Sequence, residues 1–293
     1  MSNIKSVQQV LAPPPPHMVG DGFRVHNFFP SGYSMDQQRM SPFYMLDYNS
    51  SIEFPPSERP RGVGVHPHRG FETVTIAYKG KVEHHDSMGN TGIIGEGEVQ
   101  WMTAGGGILH KEYHEREFSK KGGPFQMVQL WVNLPSKDKM TAPRYQAITH
   151  ENIGKYKSPN SLATVEVIAG KYEGIQGGAS TFTPIEMYNI RLKDGDKINF
   201  SLPETYNTGL LVLEGNVNIN DTDDVQTDHF CLFRNDGTDF SIKASGDSLV
   251  LLLSGEPINE PIVAHGPFVM NTADEIHQAM RDFGSGKFGE LED

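Results

Sequence analysis

The chain has 293 residues, long for one domain and comfortable for two, and enough to bury a sizeable core. Its formal charge of −12, with no basic stripe carrying interleaved aromatics, argues against direct nucleic-acid binding, because an acidic protein repels phosphate backbones. The single cysteine, Cys231, leaves no intramolecular disulfide and suits a reducing compartment, and no apolar run reaches the length of a signal core or a membrane span; a soluble, cytoplasmic protein without a membrane partner is expected.

In chain order, residues 11–60 carry LAPPPPHMVGDGF, NFFPSGYSM and SPFYMLDYN. Pro13 to Pro16 cannot sit inside a helix or a central strand, so an extended lead-in followed by short strands is expected. From Glu72 the texture is β throughout: ETVTIAYKGKVEHHD, GEGEVQWMTAGGG and PFQMVQLWVNLP are each rich in β-branched or aromatic residues and closed by glycine or proline. The stretch after Pro135 is polar and weakly patterned, which sets a domain boundary at 145/146. The second half then resumes short strands, in MYNIRLKDGD, TGLLVLEGNVNIND, HFCLFRNDG, TDFSIKASGD and SLVLLLSG. Cys231, in HFCLF, reads as a buried strand cysteine. Turn signals at such intervals predict sandwiches or barrels rather than βαβ units.

A faint internal repeat supports duplication: IAYKGKVEHHD (76–86) lies over LVLEGNVNIND (211–221) without a gap, matching Gly80 to Gly215 and Val82 to Val217. The clear helix is near the end, in NTADEIHQAMRDFGSG. Thr272 and Glu275 form a capping box, Ile276, Ala279, Met280 and Phe283 line one face, and Gly284 is the stop. His277 lies off that stripe, as a solvated residue.

The chemistry concentrates in GVGVHPHRGFETVTI. Residues i and i+2 on a strand point to one face, so His66 and His68 can converge on one metal ion. Pro67 opposes a helix, and it pushes His66 toward extended backbone. Downstream, GGGILHKEYHE offers a second i, i+2 pair, His110 and Glu112. Three neutral nitrogens and one carboxylate leave coordination positions open and suit iron, copper, nickel, cobalt, manganese or zinc. A helical reading, with His110 and His114 at i, i+4, is the weaker one: a metalloprotease helix places glutamate directly after the first histidine, where this chain has Lys111. His17, His26, His150, His229 and His265 are isolated and read as ordinary histidines.

HPHRGFETVT, VQWMTAGGGILHKE, QLWVNLP and HGPFVMNT resemble the pirin family of the cupin superfamily, over most of the chain from SPFYMLDY to the terminal helix. The resemblance implies an all-β bicupin: two antiparallel cupin-type β-barrel (jelly-roll) domains with a short C-terminal helix. Residues 1–145 would be the metal-binding domain, and residues 146–293 a metal-free domain ending in the helix. It implies metal ligation by His66, His68, His110 and Glu112, the four residues already singled out by spacing, with iron the first choice of ion. The glutamate of the general cupin pattern falls on Glu72, which is expected to support the site or the structure rather than to ligate. With His84 or His85 and Trp101 it would orient ligands or shape the pocket, to which Met102 and Phe125 are further aromatic or apolar candidates. By the repeat offset, His66 and His68 correspond to Ser201 and Pro203, so the second domain is expected to hold no metal. The implied activity is that of a quercetin 2,3-dioxygenase, with a flavonol and dioxygen as substrates and Glu112 as the proton acceptor. The alternative implied by the family is a metal- or redox-responsive regulator acting through a protein partner, of the transcriptional co-regulator type.

Overall fold

The computed structural model describes residues 3–33, 35–159 and 161–293. The chain forms two compact units. One combines Pro14–Gln37, Pro42–His150 and Ile258–Asp293; the other combines Met1–Pro13, Gln38–Ser41 and Glu151–Pro257. Each is built from antiparallel strands, in open sheets rather than closed barrels.

The first unit pairs a seven-stranded with a four-stranded sheet. The larger runs in the order Arg144–Ile148, Val99–Thr103, Phe71–Lys79, Gly123–Asn133, Phe43–Phe54, Phe23–Phe29, His17–Val19. The smaller runs Gly62–His68, Ile108–His114, Val82–Asp86, Thr91–Ile94. The sheets face each other: Thr75 on the larger places its hydroxyl 2.9 Å from Glu112 Oε1 on the smaller. Phe23, Ala77, Val82 and Phe125 fill one end of the space between them. Phe71 to Tyr78 are buried on both faces of their strand, which explains why that segment reads as a nearly unbroken apolar and β-branched run.

In the other unit a nine-stranded sheet wraps a core that includes Tyr188, Phe200, Leu210, Phe233 and Leu252. Cys231 is fully buried there on Phe230–Phe233, and burial pushes its thiol well above the ordinary range. The repeat seen in the sequence has a physical counterpart. Gly80 and Gly215 both take positive φ, 78° and 72°, where a side chain would be strained; Gly80 lies in the turn between Phe71–Lys79 and Val82–Asp86, and Gly215 at a bulge within Asn207–Ile219.

The ends of the chain depart from a linear division at 145/146. Strand Val7–Leu11 pairs with Phe230–Phe233, in the unit built mainly from the second half. The helix Ala273–Gly284 belongs with the strands that carry His66, His68 and His110, because Asp282 Oδ2 takes a hydrogen bond from Arg69 Nη1 at 2.9 Å. The capping box of Thr272 and Glu275 forms as expected. The buried face is rotated from the expected stripe: Ile276, Ala279 and Asp282 are buried, whereas Met280 and Phe283 are 40% and 43% exposed. The ion pair with Arg69 draws Asp282 inward, which the hydrophobic pattern could not foretell. A second, six-residue helix, Arg116–Lys121, escaped the sequence because it is too short to show a period; Glu115 caps it by accepting from the amides of Glu117 and Phe118.

Candidate metal centre

His66-Pro67-His68 ends the strand Gly62–His68, and its neighbour Ile108–His114 sets His110 opposite His66 and Ile108 opposite His68. Directly paired residues share a face, so the three imidazoles meet. Their ring centroids are 4.8 Å (His66–His68), 4.2 Å (His66–His110) and 4.7 Å (His68–His110) apart. One donor atom of each lies within 4.8 Å of the others.

Two of the rings are oriented by main-chain carbonyls. His66 Nδ1 lies 2.8 Å from the Gly64 oxygen and His68 Nδ1 lies 3.4 Å from the Pro267 oxygen. A carbonyl only accepts, so each Nδ1 carries the hydrogen and each Nε2 keeps its lone pair. His110 is different. It is fully buried, and neither ring nitrogen has a hydrogen-bond partner among the described residues. Burial, reinforced by the neighbouring histidines, holds the pKa of both His68 and His110 well below the ordinary value, leaving neutral imidazoles at physiological pH. Buried neutral rings with unpartnered nitrogens fit a nitrogen-binding divalent ion.

Glu112 follows two residues after His110 on the same face. Its Oε1 accepts from the Thr75 hydroxyl and from Gln100 Nε2, and Thr75 is also 2.7 Å from Gln129 Oε1. Glu112 clusters with His110 and His84, the three donor atoms lying within 4.8 Å of one another. His84 pairs in register with Glu112 and faces inward, fully buried. Its Nε2 is 3.3 Å from Asp86 Oδ2. Burial raises the pKa of Asp86, but the bonds from His84 and Asn90 outweigh it and the net effect is a lowering. The adjacent His85 faces out and pairs with Glu83 at 2.9 Å, which removes it from the site.

Strand parity places Glu72 and Trp101 away from the histidines, which leaves Glu72 the structural role and takes Trp101 out of the pocket wall. Thr73, Thr75 and Gln100 face the smaller sheet, so Glu72 and Trp101 project from the opposite face of the larger one. There the Thr103 hydroxyl donates to Glu72 Oε1 at 2.7 Å. Burial raises the Glu72 pKa to about 7, against the pull of Thr103, Trp101 and Arg144. Phe125 packs at 4.3 Å on His114 within the core, and Met102 packs with Ala104 and Ile108. His114 completes the inward row of its strand, but its Nε2 is taken by the Gly22 oxygen at 2.8 Å and its ring is enclosed by phenylalanines. The aromatic wall of the site is Trp131 instead, 5.3 Å from His68 and stacked at 4.3 Å on Phe71. A cavity of about 470 Å³ opens beside the histidines, lined by His66, His68, Glu112, Asp47, Gln129 and the apolar side chains of Phe23, Val25, Met45, Met127 and Trp131. Thr75, Gln100, Gln129 and Trp131 went unnoticed in the sequence, because the face each presents follows from strand pairing.

Among the described residues, the two clusters of three potential metal ligands both lie in this unit. Ser201 and Pro203, the counterparts of His66 and His68, are exposed in the other. No helix among the described residues is long and apolar enough to cross a membrane.

Two jelly-roll units, one with histidines converging from adjacent strands, define a two-domain cupin. Residues 22–132 match the pirin family, and residues 187–289 match the pirin C-terminal cupin domain. The chain is 47% identical to a Pseudomonas aeruginosa protein named "Putative quercetin 2,3-dioxygenase", over 93% of this chain and 94% of that one. It is 37% identical to human pirin, over 86% and 84% of the two chains. A crystal structure of quercetin 2,3-dioxygenase from Acinetobacter baumannii superposes with a TM-score of 0.92 at 46% identity, covering 99% of this chain and all of that one. The chain belongs to the pirin family.

Proposed function

We propose that this protein is a metal-dependent dioxygenase that opens a flavonol with dioxygen, in the manner of quercetin 2,3-dioxygenase. The observation that carries the reading is the convergence of His66, His68 and His110 beside a cavity that also reaches Glu112. The activity in the names of the Pseudomonas and Acinetobacter proteins supports the substrate class. His66, His68 and His110 would hold one divalent transition ion with Glu112 as the fourth donor; iron is the first candidate, and copper, nickel, cobalt, manganese and zinc suit the same donors. When bound, the ion supplies Lewis acidity toward a substrate hydroxyl and a template for substrate and dioxygen.

The protein's own groups do the rest. The cavity is of a size that takes a small aromatic ligand, and Phe23, Val25, Met45, Met127 and Trp131 give it apolar walls that exclude water. Glu112 is the proton acceptor for the flavonol 3-hydroxyl. Thr75 and Gln100 hold its Oε1, so its second oxygen is the one that would serve as donor to the ion or, once swung off it, take the proton. The deprotonated, electron-rich flavonol then reacts with dioxygen, its central ring opens, and carbon monoxide leaves.

Protein loaded in turn with iron, copper, nickel, cobalt and manganese should consume oxygen and release carbon monoxide with quercetin. His66→Ala should lose stoichiometric metal and turnover together. Glu112→Gln should lower kcat by about 10²- to 10⁴-fold. Absence of turnover with every flavonol in all five loaded forms would sink the reading.

A further inference from the structure

The three converging histidines are not equally provided for. His66 and His68 each have a carbonyl that holds a hydrogen on Nδ1 and frees Nε2. His110 has neither nitrogen engaged, although it is the most deeply buried of the three. A neutral imidazole that gives one lone pair to a metal carries its hydrogen on the other nitrogen, and a buried N–H needs an acceptor.

We infer that His84, set by Asp86, is the acceptor that fixes the tautomer and orientation of His110, doing for it what the Gly64 and Pro267 carbonyls do for the other two rings. This rests on the reading of His110 as a metal ligand. Three observations carry it. First, His84 Nδ1 is itself buried and unpartnered, and one donor atom of His84 lies within 4.8 Å of one of His110, with ring centroids 5.4 Å apart. Second, the other nitrogen of His84 is committed. Asp86 Oδ1 accepts from the amides of Met88 and Asn90, and Asn90 Nδ2 bonds both carboxylate oxygens, so the turn Asp86–Asn90 pins the carboxylate. A pinned carboxylate accepts only, so His84 Nε2 carries the hydrogen toward Oδ2 and Nδ1 presents a lone pair. Third, the plane of His84 is set from the side. Tyr145 stacks on it at 5.0 Å with rings 23° apart, and Tyr145 fits only because position 92 is glycine: a Cβ there would come within 2.1 Å of its hydroxyl. His84 and Asp86 are therefore positioning residues, with a chain of contacts running Asp86–His84–His110.

The test uses the full-length protein. Chelator competition gives the affinity for Co(II), and nitrogen-15 NMR of the imidazoles, in the metal-free and Zn(II)-loaded forms, gives the His110 tautomer. His84→Leu should weaken Co(II) binding about 10- to 100-fold and leave His110 in mixed tautomers. His84→Gln, whose amide oxygen can accept, should recover most of both. Asp86→Asn should also mix the His84 and His110 tautomers, which keeps the inference testable where the leucine variant fails to fold. Equal Co(II) affinity and an unchanged His110 tautomer in His84→Leu overturn the inference. So does loss of one coordinated nitrogen in pulsed EPR of the Cu(II)-loaded variant, since His84 would then be a ligand. Wild-type protein that takes up none of these ions overturns the proposed function instead, while the metal-free tautomer still reads the His84–His110 contact.

Discussion

Glu72 shows how much one side chain's face decides. The sequence puts it four residues after His68, where a cupin glutamate belongs; the pleat of the Phe71–Lys79 strand turns it to the face opposite Thr75 and the histidines. Burial there raises its pKa from 4.5 to about 7. The folded state thus keeps a proton that the unfolded chain releases between those values, so this group's contribution to stability falls as pH rises from about 4.5 to about 7 and is flat above. The penalty at high pH is at most about 3 kcal/mol. Glu72→Gln keeps an acceptor for Thr103 and removes the ionisation. It should be more stable than wild type at pH 8 by about 1–3 kcal/mol in urea unfolding, with the gap closing toward pH 4. A gap independent of pH would show that the carboxylate is not strained by charge. His84 carries the opposite lesson. Nothing local distinguishes it from His85; only the pairing of His84 with Glu112 turns one ring into the site and leaves the other on Glu83 at the surface.

Between elements, legibility followed the strength of local chemistry. The strand Gly62–His68 was readable because proline excludes a helix and i, i+2 spacing has one meaning on a strand. The terminal helix was readable from its cap, whose Thr272 Oγ1 accepts from the Glu275 amide and whose Glu275 carboxylate returns to the Thr272 amide. Its buried face was not, because Asp282 goes inward to Arg69. The cap makes a separable contribution: Thr272→Ala should lower stability by about 1 kcal/mol in urea unfolding and leave metal affinity unchanged. A fall in metal affinity would mean that the helix start is coupled to the histidines through the nearby Pro267 carbonyl.

The assignment of the chain ends has functional weight. Residues 258–293 lie in the unit that bears the histidines, and they supply the carbonyl on His68 and the carboxylate on Arg69. A fragment ending at residue 145 keeps the expected linear domain and all four candidate ligands, yet loses those partners. Expressed alone, it should bind Co(II) at least about 10-fold more weakly than the full chain, and adding a peptide of residues 258–293 should restore binding. Full affinity in the fragment alone would favour the linear division at 145/146.

Local chemistry along the chain determined the β character of both halves, their kinship through Gly80 and Gly215, the terminal cap, and the four candidate donors His66, His68, His110 and Glu112. These follow from backbone preferences and short spacings, which act between neighbours in sequence. The tertiary structure alone decided which of two adjacent histidines enters the site, that Trp131 rather than Trp101 lines it, and that the last 36 residues, Ile258–Asp293, join the strands that carry the histidines. The first two depend on strand register and the third on the ion pair of Arg69 with Asp282, and both are contacts between residues far apart in sequence. One step of register reverses every side chain on the strand, so no local reading of the chain could have supplied it.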